Sequence, residues 1–222
     1  MLQITAATRN QAKTQELGWL LEGVADVHPL SHDISPEIVD VDDLEVGESC
    51  IEIAQAKAIA WSQVHLGDEI VIATDGGLVI PHFGQAWNPT RTRRFVGGSA
   101  SDFDRATRLL ELTAGLSGPE REIGWIEAVA IAQRGQILAT WSAESEPGLL
   151  RGEVDAEALE ASGGFWIDSL WLYPRFGNRL KRELLPEQFQ GRRDHWSKLQ
   201  EPIRAWLVQF DSRRCQFLRS LS

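Results

Sequence analysis

Asp75 stands at the end of the run Glu69-Ile70-Val71-Ile72-Ala73-Thr74 and just before Gly76-Gly77-Leu78. A continuous apolar run of that length reads as a strand buried on both faces, as in a sheet covered by helices. Ligands of open α/β sheets gather at the C-terminal ends of the strands. Asp75 is therefore expected at the mouth of a cleft, where Gly76 and Gly77 let backbone come close to a bound group. A strand closed by a polar turn is the plainer reading of the same residues. A second candidate is Thr8-Arg9-Asn10-Gln11-Ala12-Lys13, between an opening strand and a helix with Leu17, Leu20, Leu21 and Val24 on one face. A helix start after a strand gathers backbone N–H groups into an anion site, and Lys13 lies about one turn inside it, within reach of a phosphate. An ordinary N-cap by Thr8 or Asn10 with a solvated Lys13 fits equally well. Arg91, Arg93 and Arg94 supply a third feature, a cationic cluster in an otherwise acidic chain.

The elements that must position these groups follow from periodicity. Leu2–Ala7 reads as a strand, Glu48–His65 as a helix closed by Gly67, and residues 28–43 as an acidic, Pro-punctuated loop. Ser101-Asp102-Phe103-Asp104 fits a capping box, and its helix is expected to bury Phe103, Ala106, Leu109, Leu110 and Leu112. Gly124–Ala132 and Gln136–Ala143 read as strands joined through Gln133-Arg134-Gly135. Residues 148–163 read as a loop and Gly164–Asp168 as a glycine-led aromatic turn. Leu180–Leu185 and Asp194–Phe210 read as helical, the latter with the stripe Leu199, Ile203, Trp206, Phe210, and residues 211–222 as a tail.

The 222 residues suffice for one large domain or for two small lobes sharing a core. A net charge of -10 lacks the basic footprint of a nucleic-acid-binding surface. Cys50 and Cys215 form neither a disulfide framework nor a metal-ligand spacing, and Cys50 falls in a helical pattern as a small buried hydrophobe. The opening Met1-Leu2-Gln3-Ile4-Thr5 alternates like a strand rather than a signal peptide, and no apolar run approaches the roughly 18 residues of a membrane span. A cytoplasmic protein without membrane contact is expected.

The order of these segments resembles the inosine triphosphate pyrophosphatase family. Its strand-T-G-N-x-x-K opening is matched by Thr8–Lys13, and its E-T-G-x-S-F-x-E-N-A-x-x-K-A by Glu45–Ala58. A-D-D-S-G-L is matched by Ala73–Leu78, and S-A-R-Y by Thr92–Phe95. G-G-F-G-Y-D-P-x-F is matched by Gly163–Trp171, and S-H-R by Asp194-His195-Trp196. The correspondence runs from about Ile4 to Trp206. The resemblance implies an α/β fold with a mixed central sheet flanked by helices, two lobes with a long cleft, a homodimer, and hydrolysis of a non-standard purine nucleoside triphosphate to monophosphate and pyrophosphate with Mg²⁺. By the same resemblance Thr8, Asn10, Lys13, Lys57, Gly76 and Arg94 bind the triphosphate. Glu37 and Asp75 handle Mg²⁺ and the attacking water, with Asp75 and Lys13 catalytic. Phe165 stacks on the base, and Asp168 and His195 read its edge.

The chain departs from the family pattern unevenly. One of the paired acids is replaced by Thr74, an Asn by Ile53 and a Gly by Arg9. In the base-reading half, Trp166-Ile167 replaces Gly-Tyr, Ser169 replaces Pro, and Trp196 replaces an Arg that would donate to a 6-oxo group. Base selectivity is expected to change. The same losses leave open a second reading, a nucleotide-binding or interaction protein of weak or no activity on this scaffold, and a third, hydrolysis of another phosphorylated metabolite.

Overall fold

The computed structural model describes residues 1–8, 10–30, 47–64, 69–185, 188 and 194–220. Arg9 and Glu37 lie outside them, so the metal role expected of Glu37 has no structural counterpart here. The chain divides into two compact units, one made of Met1–Gly76, Glu127–Ala143 and Asp194–Ser222, the other of Gly77–Ile126 and Glu144–Arg193.

In the first unit β1 (Leu2–Ala6) lies parallel between β2 (Ala25–Pro29) and β3 (Ile70–Val79), with Ile4 opposite both Val27 and Ile70. The neighbour of β3 is β4 (Glu122–Gln133), which also pairs with β5 (Gln136–Glu144). Arg134 and Gly135 turn the β4–β5 hairpin with φ of 52° and 75°, as a two-residue loop demands. Helices α1 (Gln11–Leu21), α2 (Cys50–Val64) and α5 (His195–Ser220) complete the unit. Parallel strands covered by helices need apolar residues on both faces. Ile70, Val71, Ile72 and Ala73 are accordingly all buried, and Ile4, Leu17, Leu20, Ile72, Val129, Leu199, Ile203 and Leu207 share one core. Each such Leu or Ile contributes about 1.5–3 kcal/mol by leaving water.

Two expectations for this unit change. The central strand does not end at Asp75 but runs on through Gly76 and Gly77 to Val79, so Asp75 is a residue of the strand and not of a turn after it. The residues read as a C-terminal tail continue α5 as far as Ser220.

In the second unit β6 (Gly148–Leu150) and β7 (Trp171–Tyr173) extend β4 in antiparallel fashion, with β8 (Arg179–Leu180) beyond. Helices α3 (Asp102–Leu112) and α4 (Ala156–Ala161) flank a core of Leu78, Leu109, Ile123, Trp125, Trp166, Ile167 and Leu170. The segment read as a loop over 148–163 thus holds β6 and α4, the helix capped by Asp155, which accepts from Ala158 N at 3.0 Å. Leu180–Leu185, read as helical, forms the short strand β8 and a single 3-10 turn, Lys181–Glu183.

The capping box is present. Asp104 N donates to Ser101 Oγ at 3.1 Å, and Ser101 N donates to Asp104 Oδ2 at 2.9 Å. The helix behind it faces inward through Arg105, Ala106 and Leu109, which puts Phe103 and Leu112 roughly a quarter turn to either side. Those two side chains are exposed, not buried as expected. Ser101→Ala should destabilise the protein by about 1 kcal/mol at neutral pH in urea unfolding. The side-chain and backbone hydrogen bonds from Ser101 hold the Asp104 carboxyl below its ordinary range. Its stabilisation is therefore present above the unfolded-state pKa and is lost as pH falls through the lowered one. The difference between Ser101→Ala and wild type should shrink over that acid range.

Candidate functional site

In the first unit, four separated segments bring charge to one place. Asn10 caps α1, its Oδ1 accepting from Ala12 N at 2.9 Å and Lys13 N at 3.3 Å, while Asn10 N donates to Thr8 Oγ1 at 3.1 Å. Both residues shape the turn between β1 and α1 and so set where Lys13 starts. The N-cap reading is right for Asn10, but Lys13 is not a solvated surface lysine. Its Nζ donates to Thr74 Oγ1 at 3.2 Å and Glu127 Oε1 at 3.1 Å. Thr74 Oγ1 in turn donates to the same carboxylate oxygen, and the Glu127 side chain is only 2% exposed. One residue along β3, Asp75 Oδ1 accepts from Lys57 Nζ of α2 at 2.8 Å, the two side chains 13% and 11% exposed.

These groups feel one another. Burial works against the charge on Lys13, but the Glu127 and Asp75 carboxylates outweigh it and raise its pKa. Burial pushes the Asp75 carboxyl up, opposed by Lys57 and then Lys13. Cys50, at the start of α2, is pushed up to about 12 by burial and by the carboxylates of Asp75 and Glu127. A thiol with so little thiolate is a poor nucleophile. With a disulfide reagent at pH 8, the folded chain should show one fast thiol, the exposed Cys215, and Cys50 should react only in denaturant. Two fast thiols in the folded protein would contradict the burial of Cys50.

Glu127 is the member of this charged cluster that sequence reasoning missed. Its signal was present: a lone acid in the apolar run Ile126-Glu127-Ala128-Val129-Ala130-Ile131. A carboxylate there is tolerated only if a cation meets it.

The other expected residues are placed as follows. His195 opens α5, is 8% exposed and lies with its ring 5.3 Å from that of Trp196. Trp196 itself belongs to the first unit's apolar core. In the second unit, Arg94 sits in a turn where its N donates to Arg91 O at 2.8 Å. Phe165 packs edge-on against Trp125, with ring centroids 4.7 Å apart. Asp168 pairs with Lys181 at 2.9 Å. Trp166 is buried and stacks on Phe95 at 6.2 Å. Two tryptophans that depart from the family pattern are thus core residues within their own units. The close approach expected at the glycines comes at Gly77 from the chain itself: a Cβ there would lie 2.0 Å from Pro89 O.

The sequence profile of the Ham1 family matches residues 4–195. The chain belongs to the Ham1 family. A dITP/XTP pyrophosphatase of Legionella pneumophila (strain Paris) is 28% identical over 93% of this chain and 99% of its own length. The structure of a HAM1 protein from Coxiella burnetii superposes with a TM-score of 0.70 at 21% identity, covering 94% of this chain and all (100%) of that one. A structure described as nucleoside-triphosphatase / dITP/XTP pyrophosphatase from Mycobacterium abscessus gives 0.61 at 23% identity, covering 93% and 99%. The family resemblance drawn from the motifs is borne out, as is a mixed α/β fold with a central sheet flanked by helices. Among the described residues no helix is long and apolar enough to cross a membrane.

Proposed function

We propose that this Ham1 protein is a nucleoside triphosphate pyrophosphatase: NTP and water give the monophosphate and pyrophosphate. The observation that carries the reading is the gathering of Lys13, Lys57 and Asp75 in one unit of a Ham1 chain, two ammonium groups beside one carboxylate. Pyrophosphate departure concentrates negative charge, and catalysis of such transfers is mainly positioning plus electrostatics. Lys13, with its raised pKa, stays an ammonium and takes up part of that charge. Asp75, whose burial strengthens its hold on a proton, accepts one from the attacking water. Thr8 and Asn10, which shape the turn ahead of Lys13, and Gly76, next to Asp75 in β3, bind the phosphates, and His195 takes part of the base.

The donors suit Mg²⁺. The ion takes hard carboxylate oxygens, usually one or two, together with substrate phosphates; Asp75 offers such an oxygen, and the family resemblance assigns a second to Glu37. Among the described residues no group of three or more His, Cys, Asp or Glu could hold a metal ion. Bound at Asp75, Mg²⁺ would neutralise phosphate charge.

Base selectivity should be weakened, because the Trp196 indole lies in an apolar core and supplies no guanidinium to a 6-oxo group. Sites built to hydrogen-bond a polar edge discriminate by about 10⁴-fold or more. Here the ratio of kcat/KM for xanthine over adenine triphosphates should fall well below that. Pyrophosphate release from a panel of purine and pyrimidine triphosphates with Mg²⁺ tests the reading. Release above the Asp75→Asn background supports it. Orthophosphate as the only product, or no release on any nucleotide, rejects it.

A further inference from the structure

We propose that Glu127 supplies, from the neighbouring strand, the carboxylate absent at position 74, and acts as a positioning residue that keeps the Lys13 ammonium from closing on Asp75. The inference rests on the pyrophosphatase reading of this site and adds a residue that no motif contains.

The geometry is specific. Position 74 carries a hydroxyl where the family pattern has its first acid, and that hydroxyl donates to Glu127. The same Glu127 oxygen receives Lys13 Nζ at 3.1 Å, and Lys13 also donates to Thr74 at 3.2 Å. Thr74, Glu127 and Lys13 therefore close a three-membered ring of hydrogen bonds with the negative charge one side chain away from residue 74. An almost fully buried carboxylate in the middle of an apolar strand is costly unless it is paired and hydrogen-bonded. β4 would hold an apolar residue there at no such cost. Charges also balance, since Lys13 and Lys57 face Asp75 and Glu127. Without Glu127 the ammonium of Lys13 would be drawn toward Asp75, the group that must keep its carboxylate available to water.

A polyphosphate must share Lys13 with Glu127. Removing the Glu127 charge should therefore tighten anion binding while slowing turnover, a split that loss of folded protein does not produce. Glu127→Gln, which keeps size and an acceptor for Thr74, is expected to lower kcat about a hundredfold, the scale of a misplaced catalytic group. KM should be unchanged or reduced. Thr74→Asp in the Glu127→Gln background, returning the acid to β3, should recover at least tenfold of the lost kcat. Calorimetry with inorganic tripolyphosphate, without metal, gives a readout independent of turnover: Glu127→Gln should bind it several-fold more tightly than wild type. Wild-type kcat in Glu127→Gln, or a rise in KM without rescue by Thr74→Asp, overturns the proposal. Should the wild-type chain turn over no nucleotide, the pyrophosphatase reading fails by itself. Tripolyphosphate affinity then decides whether Glu127 governs Lys13, an unchanged affinity counting against it.

Discussion

Asparagine in place of Asp75 should reduce kcat by about 10³-fold, within the range associated with loss of a proton acceptor. The substitution preserves shape. Lys57 Nζ, 2.8 Å from Oδ1, keeps an oxygen to donate to but loses the charge it was paired with. Both side chains are nearly buried, so the loss is felt in stability too, by about 2 kcal/mol, the worth of a hydrogen bond to a charged group. A 2 kcal/mol deficit leaves an ordinary domain folded, and activity and stability can be read on the same sample. Pyrophosphate release gives the first and urea unfolding the second. Turnover within tenfold of wild type would remove Asp75 from the reaction. Lys57→Met should be the more destabilising change of the pair, because it strands a carboxylate that burial already disfavours.

The largest effect on stability should come from a methyl group. In Gly77→Ala the new Cβ would lie 2.0 Å from Pro89 O, 2.5 Å from its carbonyl carbon and 3.0 Å from its Cα. These are backbone atoms that no rotamer can swing aside. Either β3 or the 3-10 turn Pro89–Arg91 must move, and both are tied: Leu78 N donates to Thr92 Oγ1 at 2.8 Å, and Trp87 Nε1 donates to Leu78 O at 2.7 Å. Overpacking of this kind should cost about 3 kcal/mol or more. Gly98→Ala is the matched control, since nothing lies within 4 Å of its added Cβ. Its effect should stay within about 0.5 kcal/mol. Equal denaturation midpoints for the two variants would refute the close approach.

Much of the first unit's architecture could be read in advance, because its parallel strands are continuous apolar runs and its helices carry clear stripes. Ile70–Ala73 and Leu17, Leu20 and Leu21 are where pattern and burial agree. Reading failed where the deciding partner is remote. Glycine usually ends a strand, yet β3 continues through Gly76 and Gly77, and Pro89 is what fills the space a side chain would take. Phe103 and Leu112 are apolar enough for a core, but the inward stripe of α3 passes between them. The capping function of Asp155 was overlooked because α4 is only six residues long. Of the candidate site, Thr8, Asn10, Lys13, Lys57 and Asp75 came from local motifs. Glu127 did not, since its meaning depends on a lysine 114 positions away.

The discontinuity of the first unit bears on how the molecule is made. A ribosome releases Gly77–Ile126 and Glu144–Arg193, the whole of the second unit, before α5 exists. Until then Leu17, Leu20 and Leu21 lack Leu199, Ile203 and Leu207, which seal their core. The segment synthesised first is thus among the last to be finished, and a nascent chain paused near residue 193 would present a greasy, half-built face to chaperones.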